Sequence, residues 1–346
     1  MKGKVHKIAC IVALCYFVFP IFPIKKNVSS AETVREGKAE CVMELNSRRI
    51  LYESNGDVRL PMASTTKILT AATVLEYCDD LDEKISIPKE AVGIEGSSVY
   101  LKENDVYSIK ALLYGLMLRS GNDCATALAI ACSGSIAEFC VKMNGIAQKA
   151  GAFHSRFSNP HGLPNPRHYT TARDLSYITC FAMQNSVFRE IVSTKYYQPY
   201  HWVNKNKMLA NFEGAVGVKT GYTKEAGRCL VSAATRGNMT LVCSVLNCPT
   251  TYERSSELLN DAFAAYSYTP LLLSSTPLEV KKDGQILRGY AEKDYYYPLM
   301  EGEAQQLEIV TKPILNQKIT KDKEIIGQFE IFLAKRLLFS GNLYKL

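Results

Sequence analysis

No Cys-x-x-Cys pair and no cluster of cysteine with histidine occurs in the 346 residues, so nothing in the sequence has the spacing of a metal site. Internal repeats and low-complexity tracts are also absent, which excludes a solenoid array. The chain stops at Leu346 straight after an expected strand, so no terminal amphipathic helix is expected to lie on a membrane. Excess charge is equally scarce once its position is considered. The formal charge is +7, but residues 1–31 hold Lys2, Lys4, Lys7, Lys25, Lys26 and no acid, and without them it is 7 − 5 = +2. That balance gives no warrant for nucleic-acid binding. A disulfide framework is lacking as well. Of eleven cysteines, Cys10 and Cys15 fall in the same leader, and the odd nine that remain sit mostly in apolar surroundings, as reduced core thiols do. For an exported protein this suggests a host living without much oxygen, an expectation that thiol counting would refute if most of the nine were paired.

What is present is an ordinary globular composition, 47% hydrophobic and 22% charged, long enough for two domains. The N-terminal lysines precede an apolar run from Ile8 to Ile24, and Ser29-Ser30-Ala31 offers small residues for signal peptidase. Residues 1–31 are expected to be a signal peptide cut after Ala31. The other reading is an uncleaved anchor, made less favourable by Pro20 and Pro23.

The chain is organised around Ser64-Thr65-Thr66-Lys67, followed by apolar Ile68, Leu69, Ala72 and Leu75 at helical spacing. Three residues is nearly one turn, so Ser64 and Lys67 share a face. A serine hydroxyl attacks a carbonyl only if a neighbour takes its proton, and a lysine does so when burial or a second cation keeps it neutral. The bland alternative is a helix cap followed by a solvated lysine. Further on, Ser108 to Leu118 predicts a helix capped by Ser108, and a second helix starts at Asp123. Ser120 and Asn122 then lie on a tight turn between buried helices. Ser340-Gly341-Asn342 repeats that tripeptide inside an expected strand and is set aside. Helices are expected over 136–150 and 171–184, separated by the Pro/Gly/Asn loop 157–167, where His161 is more suited to ordering the loop than to acting as a base. In the run Ala215 to Thr223, strand alternation sends Lys219 and Gly221 to one face and Thr220 to the other, and a glycine there lets the backbone approach the Ser64 segment. Strands over 227–235 and 240–247 and a closing helix over 251–266 carrying Arg254 follow. From about Pro270 helical periodicity gives way to strands.

Three motifs in this order, Ser64-x-x-Lys67, Ser120-Gly121-Asn122 and Lys219-Thr220-Gly221, resemble the penicillin-recognising serine enzymes. The flanks Pro61-Met-Ala-Ser-Thr-Thr-Lys67, Leu113-Tyr-Gly-Leu-Met-Leu-Arg-Ser-Gly-Asn-Asp123 and His168-Tyr-Thr-Thr-Ala-Arg-Asp-Leu175 are similar to low-molecular-mass D-alanyl-D-alanine carboxypeptidases. The resemblance implies an α/β (α+β) fold: a β-lactamase/transpeptidase-like domain over 32–269, with an antiparallel sheet flanked by helices, and a small all-β domain over 270–346. It implies Ser64 as acylated nucleophile, Lys67 as base, Ser120 as proton relay to the leaving D-alanine and Asn122 as binder of the substrate amide. Lys219 would hold down the pKa of Lys67 and orient Ser120. Thr220, with Arg254, would hold the terminal carboxylate, and the backbone N–H groups of Ser64 and Tyr222 would form the oxyanion hole, with the stem peptide along the strand of Lys219 and Gly221. The implied partners are the peptidoglycan stem peptide and β-lactams as covalent inhibitors, with no cofactor or metal, outside the cytoplasm on the cell-wall side. Members usually end in a membrane-anchoring helix that this sequence lacks, so membrane association is expected only through an uncleaved leader. No Glu-x-x-Leu-Asn lies between Asn122 and Lys219, where a class A β-lactamase carries its deacylating base. A β-lactamase or D,D-endopeptidase of the same fold, or a non-catalytic penicillin-sensing or wall-binding protein, are the alternatives.

Overall fold

A computed structural model describes residues 35–282, 284–314 and 324–345, so the expected signal peptide lies outside the described residues. The chain divides into two compact units that meet between Ala265 and Tyr266. The expected boundary after residue 269 had been set by Pro270, which instead lies inside a strand that begins as the preceding helix ends.

The first unit is built on one antiparallel sheet. Strands β1 (Ala39–Glu44) and β2 (Ile50–Ser54) form an antiparallel hairpin. After two short ribbons, β3 (Lys84–Ser86) with β4 (Val106–Ser108) and β5 (Tyr196–Tyr197) with β6 (Trp202–Val203), come β7 (Ala215–Thr223), β8 (Gly227–Arg236) and β9 (Met239–Leu246). The order is β2-β1-β9-β8-β7, so β1 is inserted beside β9 and β7 is left at an edge. Around the sheet stand α1 (Lys67–Tyr77), α2 (Ile109–Tyr114), α3 (Asn122–Ser133), α4 (Ile136–Ala150), α5 (Ala172–Ala182), α6 (Ser186–Ser193), the single turn α7 (Met208–Asn211) and α8 (Thr251–Ala265).

Local chemistry sets the helix ends. Ser108, Ser135 and Thr171 each accept a backbone N–H three residues on, as N-caps do, and Asp174 and Glu138 lie in the first turns they cap. Residues of α1, α3, α4 and α5 meet in one continuous core through Ile68, Leu128, Phe139 and Leu175. The two faces of the sheet are occupied differently. Ser244 of β9 bonds Ser176 of α5 and is in register with Cys41 of β1, so the neighbouring Glu40 points to the other face, where α8 lies.

In the second unit, β10 (Tyr266–Leu272) pairs with β13 (Tyr295–Met300). A five-stranded antiparallel sheet runs β11 (Leu278–Lys282), β12 (Gln285–Ala291), β16 (Arg336–Tyr344), β15 (Ile325–Leu333), β14 (Leu307–Pro313). Val280, Phe329, Ile331 and Leu343 fill its core. Ser340-Gly341-Asn342 lies within β16, as expected.

Candidate active site

Ser64 does not sit on the α-helix but on a 3-10 turn, Ala63–Thr66, that leads into it. The turn is held by side chains that fold back on it: Thr65 Oγ1 donates to the Met62 carbonyl and Thr66 Oγ1 to that of Ala63. Thr66 Oγ1 also meets His168 Nε2 at 2.8 Å, while His168 Nδ1 accepts the Ser158 N–H. That second bond fixes the tautomer, with the proton on Nε2. Burial, then the charge of Lys67, lowers the His168 pKa to about 4. Ala63, just before the nucleophile, is left-handed at φ 49°, a conformation a non-glycine keeps only when its surroundings impose it.

Lys67 is fully buried, and its Nζ lies 3.0 Å from Ser64 Oγ, 2.6 Å from Asn122 Oδ1 and 2.7 Å from the His161 carbonyl. The orientation of Asn122 is fixed because its Nδ2 donates to the Glu95 carbonyl. Two of the three neighbours of the amine are therefore acceptors with no proton to give. Nζ is placed to donate to Asn122 and His161, and it lies within hydrogen-bond distance of the Ser64 hydroxyl, which the lone pair of a neutral amine would face. Burial first, and the nearby charge of Lys219 second, pushes the Lys67 pKa well below its usual value.

The second and third motifs reach the site from separate elements. Helix α2 continues into a π-turn, Gly115–Arg119, that ends on Ser120 in the left-handed region (φ 64°, ψ 32°), and Asn122 opens α3. Single π-turns of this kind are frequent at functional sites. Ser120 is almost wholly buried, and its Oγ makes no hydrogen bond among the described residues. Lys219 is 2% exposed, its pKa lowered to about 7 by burial and then by Lys205. Its Nζ donates to the Thr220 carbonyl at 2.9 Å, and among the described residues no hydrogen bond joins it to Ser120, the serine that the resemblance implies it orients. Gly221 bears out the close approach read from the sequence. A Cβ there would stand 3.0 Å from the Met62 oxygen and 3.1 Å from the Ser64 nitrogen, so β7 lies against the turn of the nucleophile. Thr220 is half-buried beside it, and Tyr222 is 66% exposed on the same edge strand.

Arg254 is a correction. Its guanidinium is buried on α8, bonded to both Glu40 oxygens at 2.8 and 2.9 Å, to Glu257 at 2.9 Å and to the Tyr52 hydroxyl. It lies on the sheet face away from α5 and α1, and its donors are committed to a structural ion pair.

The sequence reading missed the backbone of the 157–167 loop. His161 supplies a carbonyl to Lys67, Pro160 supplies one to Thr70 at 2.6 Å, and the His161 ring accepts the Leu163 N–H. Gly162, at φ 91°, passes so close that a Cβ would strike the Ala63 oxygen at 2.0 Å. The conjunction of Asn159, Gly162 and three prolines was the signal of a rigid loop, and no side chain in it announced the carbonyl. Lys205 was missed too. It lies close enough to lower the pKa of Lys219 and donates to Ser97 at 3.2 Å.

The sequence matches the D-alanyl-D-alanine carboxypeptidase family over residues 25–250. It is 31% identical over 287 residues to D-alanyl-D-alanine carboxypeptidase DacF of Bacillus subtilis (strain 168), covering 78% of this chain and 73% of the relative. It is 38% identical over 240 residues to a D-alanyl-D-alanine carboxypeptidase of Streptomyces sp. (strain K15), covering 62% of this chain and 82% of the relative. Among solved structures, penicillin binding protein 5 from Haemophilus influenzae superposes with a TM-score of 0.74 at 26% identity, covering 92% of this chain and 98% of the other. With Ser64 and buried Lys67 3.0 Å apart in the first of the three motifs, the chain belongs to the D-alanyl-D-alanine carboxypeptidase family and is a serine-type peptidase.

Proposed function

We propose that this protein removes the terminal D-alanine of peptidoglycan pentapeptide stems, on the cell-wall side of the membrane, through an acyl-enzyme on Ser64. The observation that carries the reading is the 3.0 Å approach of buried Lys67 Nζ to Ser64 Oγ, with the Asn122 and His161 oxygens there to take the two N–H groups of a neutral amine and leave its nitrogen lone pair for the serine proton. Ser64 Oγ attacks the penultimate D-alanine carbonyl as Lys67 Nζ takes its proton. The developing oxyanion is received by the Ser64 and Tyr222 N–H groups, where the turn and β7 run side by side. Ser120, buried and uncommitted, passes a proton to the departing D-alanine amine. The substrate's terminal carboxylate is held by Thr220 and the Lys219 cation, whose pKa a bound carboxylate would raise. The acyl chain lies along the open edge of β7 as an added strand. The proton Lys67 took from Ser64 replaces the one Ser120 gave up. Water, losing a proton to Lys67, then attacks the acyl carbon, the Ser64 ester bond breaks to release the shortened stem, and that proton passes from Lys67 to Ser64.

A β-lactam opened by Ser64 would follow the same first step and stay attached. Two measurements test the reading together: D-alanine released from a stem pentapeptide compared with release from a cross-linked dimer, and the site of a fluorescent penicillin adduct. Pentapeptide turnover with a stable label on Ser64 is expected. Preference for the dimer would make the protein an endopeptidase, rapid loss of label a β-lactamase, and no label on Ser64 would remove the enzymatic reading. Ser64→Ala should abolish labelling and leave the fold intact, while Lys67→Ala should slow acylation by orders of magnitude.

A further inference from the structure

Seven of the nine described cysteines are buried, and two, Cys78 and Cys132, are half-exposed. These two come from different helices. Cys78 caps the C-terminus of α1, and Cys132 lies in the last turn of α3. They line the same surface cavity, of about 480 Å³, together with Tyr77, Glu83, Ile130 and Ala131. Lining one cavity from the adjoining ends of two helices, the two thiols are near enough for each to shift the titration of the other. Lys142 of α4 clamps the pair from behind: its Nζ donates to the Cys132 carbonyl at 2.9 Å and sits 4.7 Å from the centre of the Tyr77 ring. Asp79, Asp80 and Glu83 also line the cavity and give it an acidic wall.

We propose that Cys78 and Cys132 form a redox-active dithiol that an external low-molecular-mass disulfide converts to an intramolecular disulfide joining the far ends of α1 and α3. Cys132 is the attacking thiol. The hydrogen bond from Cys78 and the charge of Lys142 favour its thiolate against burial, bringing its pKa to about 6, whereas Cys78 is raised by giving that bond and by burial. The Cys132 thiolate attacks one sulfur of R–S–S–R, forming a mixed disulfide and expelling RS⁻. Cys78 then attacks the Cys132 sulfur, closing the Cys78–Cys132 bond and expelling a second RS⁻. Two thiols are oxidised by two electrons, the external disulfide is reduced to two RSH, and the cysteine protons end on the leaving thiolates. The other seven thiols lack both access and a stabilised thiolate. The acidic wall favours a cationic disulfide over an anionic one. The bond would tie the distal ends of the two helices whose opposite ends carry Lys67 and Asn122.

The test is peptide mapping of the folded protein after exposure to cystamine or to oxidised glutathione, followed by alkylation of the remaining thiols. The expected product is a Cys78–Cys132 cross-linked peptide pair, reversed by dithiothreitol and formed faster with cystamine. Cys78→Ser should stop at a stable cysteamine adduct on Cys132, and Cys132→Ser should react at least about tenfold more slowly. Resistance of Cys132 in the wild-type protein, or an adduct on Cys132 that Cys78 never resolves, would overturn the proposal. So would equal labelling of the buried cysteines.

Discussion

Replacing Lys219 by methionine isolates the electrostatic cost of the site. The lysine is 2% exposed, and among the described residues its Nζ has one hydrogen-bond acceptor, the Thr220 carbonyl. Burial, then Lys205, lowers its pKa from 10.5 to about 7. Each pKa step is worth about 1.4 kcal/mol, so holding the ammonium in the folded chain costs on the order of 5 kcal/mol. Below pH 7 the lysine is charged in both folded and unfolded chains, and the whole cost is present. Between pH 7 and 10.5 the unfolded chain keeps the proton and the folded chain has lost it, so this contribution to stability rises with pH. Buried thiols such as Cys41, raised by burial to about 12, act in the opposite direction at high pH, so total stability is the wrong readout. The difference between wild type and Lys219→Met cancels them. In urea unfolding at pH 6.5 the variant should be more stable by roughly 5 kcal/mol, apart from a pH-independent packing offset, and this margin should shrink by about 3 kcal/mol at pH 9. A margin that stays constant between the two pH values would refute the claim that Lys219 is held as a buried, unpaired cation.

Gly221→Ala would press a methyl group against the Met62 oxygen and the Ser64 and Thr65 nitrogens, all within 3.1 Å, and the nucleophile's turn would have to move. Penicillin acylation should fall by roughly 10- to 100-fold with the urea midpoint little changed, and unaltered acylation would count against the close approach of β7. Arg254→Leu leaves fully buried Glu40 without its cation, so unfolding should cost about 3–5 kcal/mol less. The acylation rate of the folded fraction should change by no more than about twofold, and a selective rise in KM would restore Arg254 to the carboxylate site. Acid should weaken the fold through His168, whose pKa falls from 6.5 to about 4 by burial and then Lys67. Stability complete above pH 6.5 is lost toward pH 4, by about 3 kcal/mol, and a pH series of thermal melts should show that slope flattened in His168→Gln.

Elements with strong local signals were legible. The Ser108 cap, the strands over 227–235 and 240–247 and the helix over 136–150 all formed where side-chain chemistry and periodicity placed them. Gly221 could be read because only a backbone approach explains a glycine in that strand. Three things were not legible, each for a physical reason. Strands β10 and β13, which pair with each other, each hold a proline, Pro270 and Pro298, a residue that weakens the strand pattern of a sequence. Residues 186–211 form α6, a two-residue ribbon and the one-turn α7, elements too short to leave a period. Arg254 was misplaced because sequence order does not say which face of a sheet a helix covers; its partner Glu40 is 214 residues away.

The same limit applies to the acid beside the catalytic turn. Asp123 follows Asn122 directly and is almost wholly buried, so a carboxylate stands close enough to favour the charged form of Lys67. If it paired with the amine, the lysine would keep its proton and could not serve Ser64. The structure spends that carboxylate elsewhere: Oδ2 accepts from the Ser98 hydroxyl and the Val99 and Leu101 N–H groups, and Oδ1 accepts from Cys124 N–H. The bonds of Oδ2 pin the 98–101 loop, and Asn122 in turn donates to Glu95 and receives Lys67 on its oxygen. A neutral amide thus stands between a buried amine and a saturated carboxylate. Burial and Lys219 outweigh the residual attraction of Asp123, which suits the amine beside Ser64 to the role of base proposed for it.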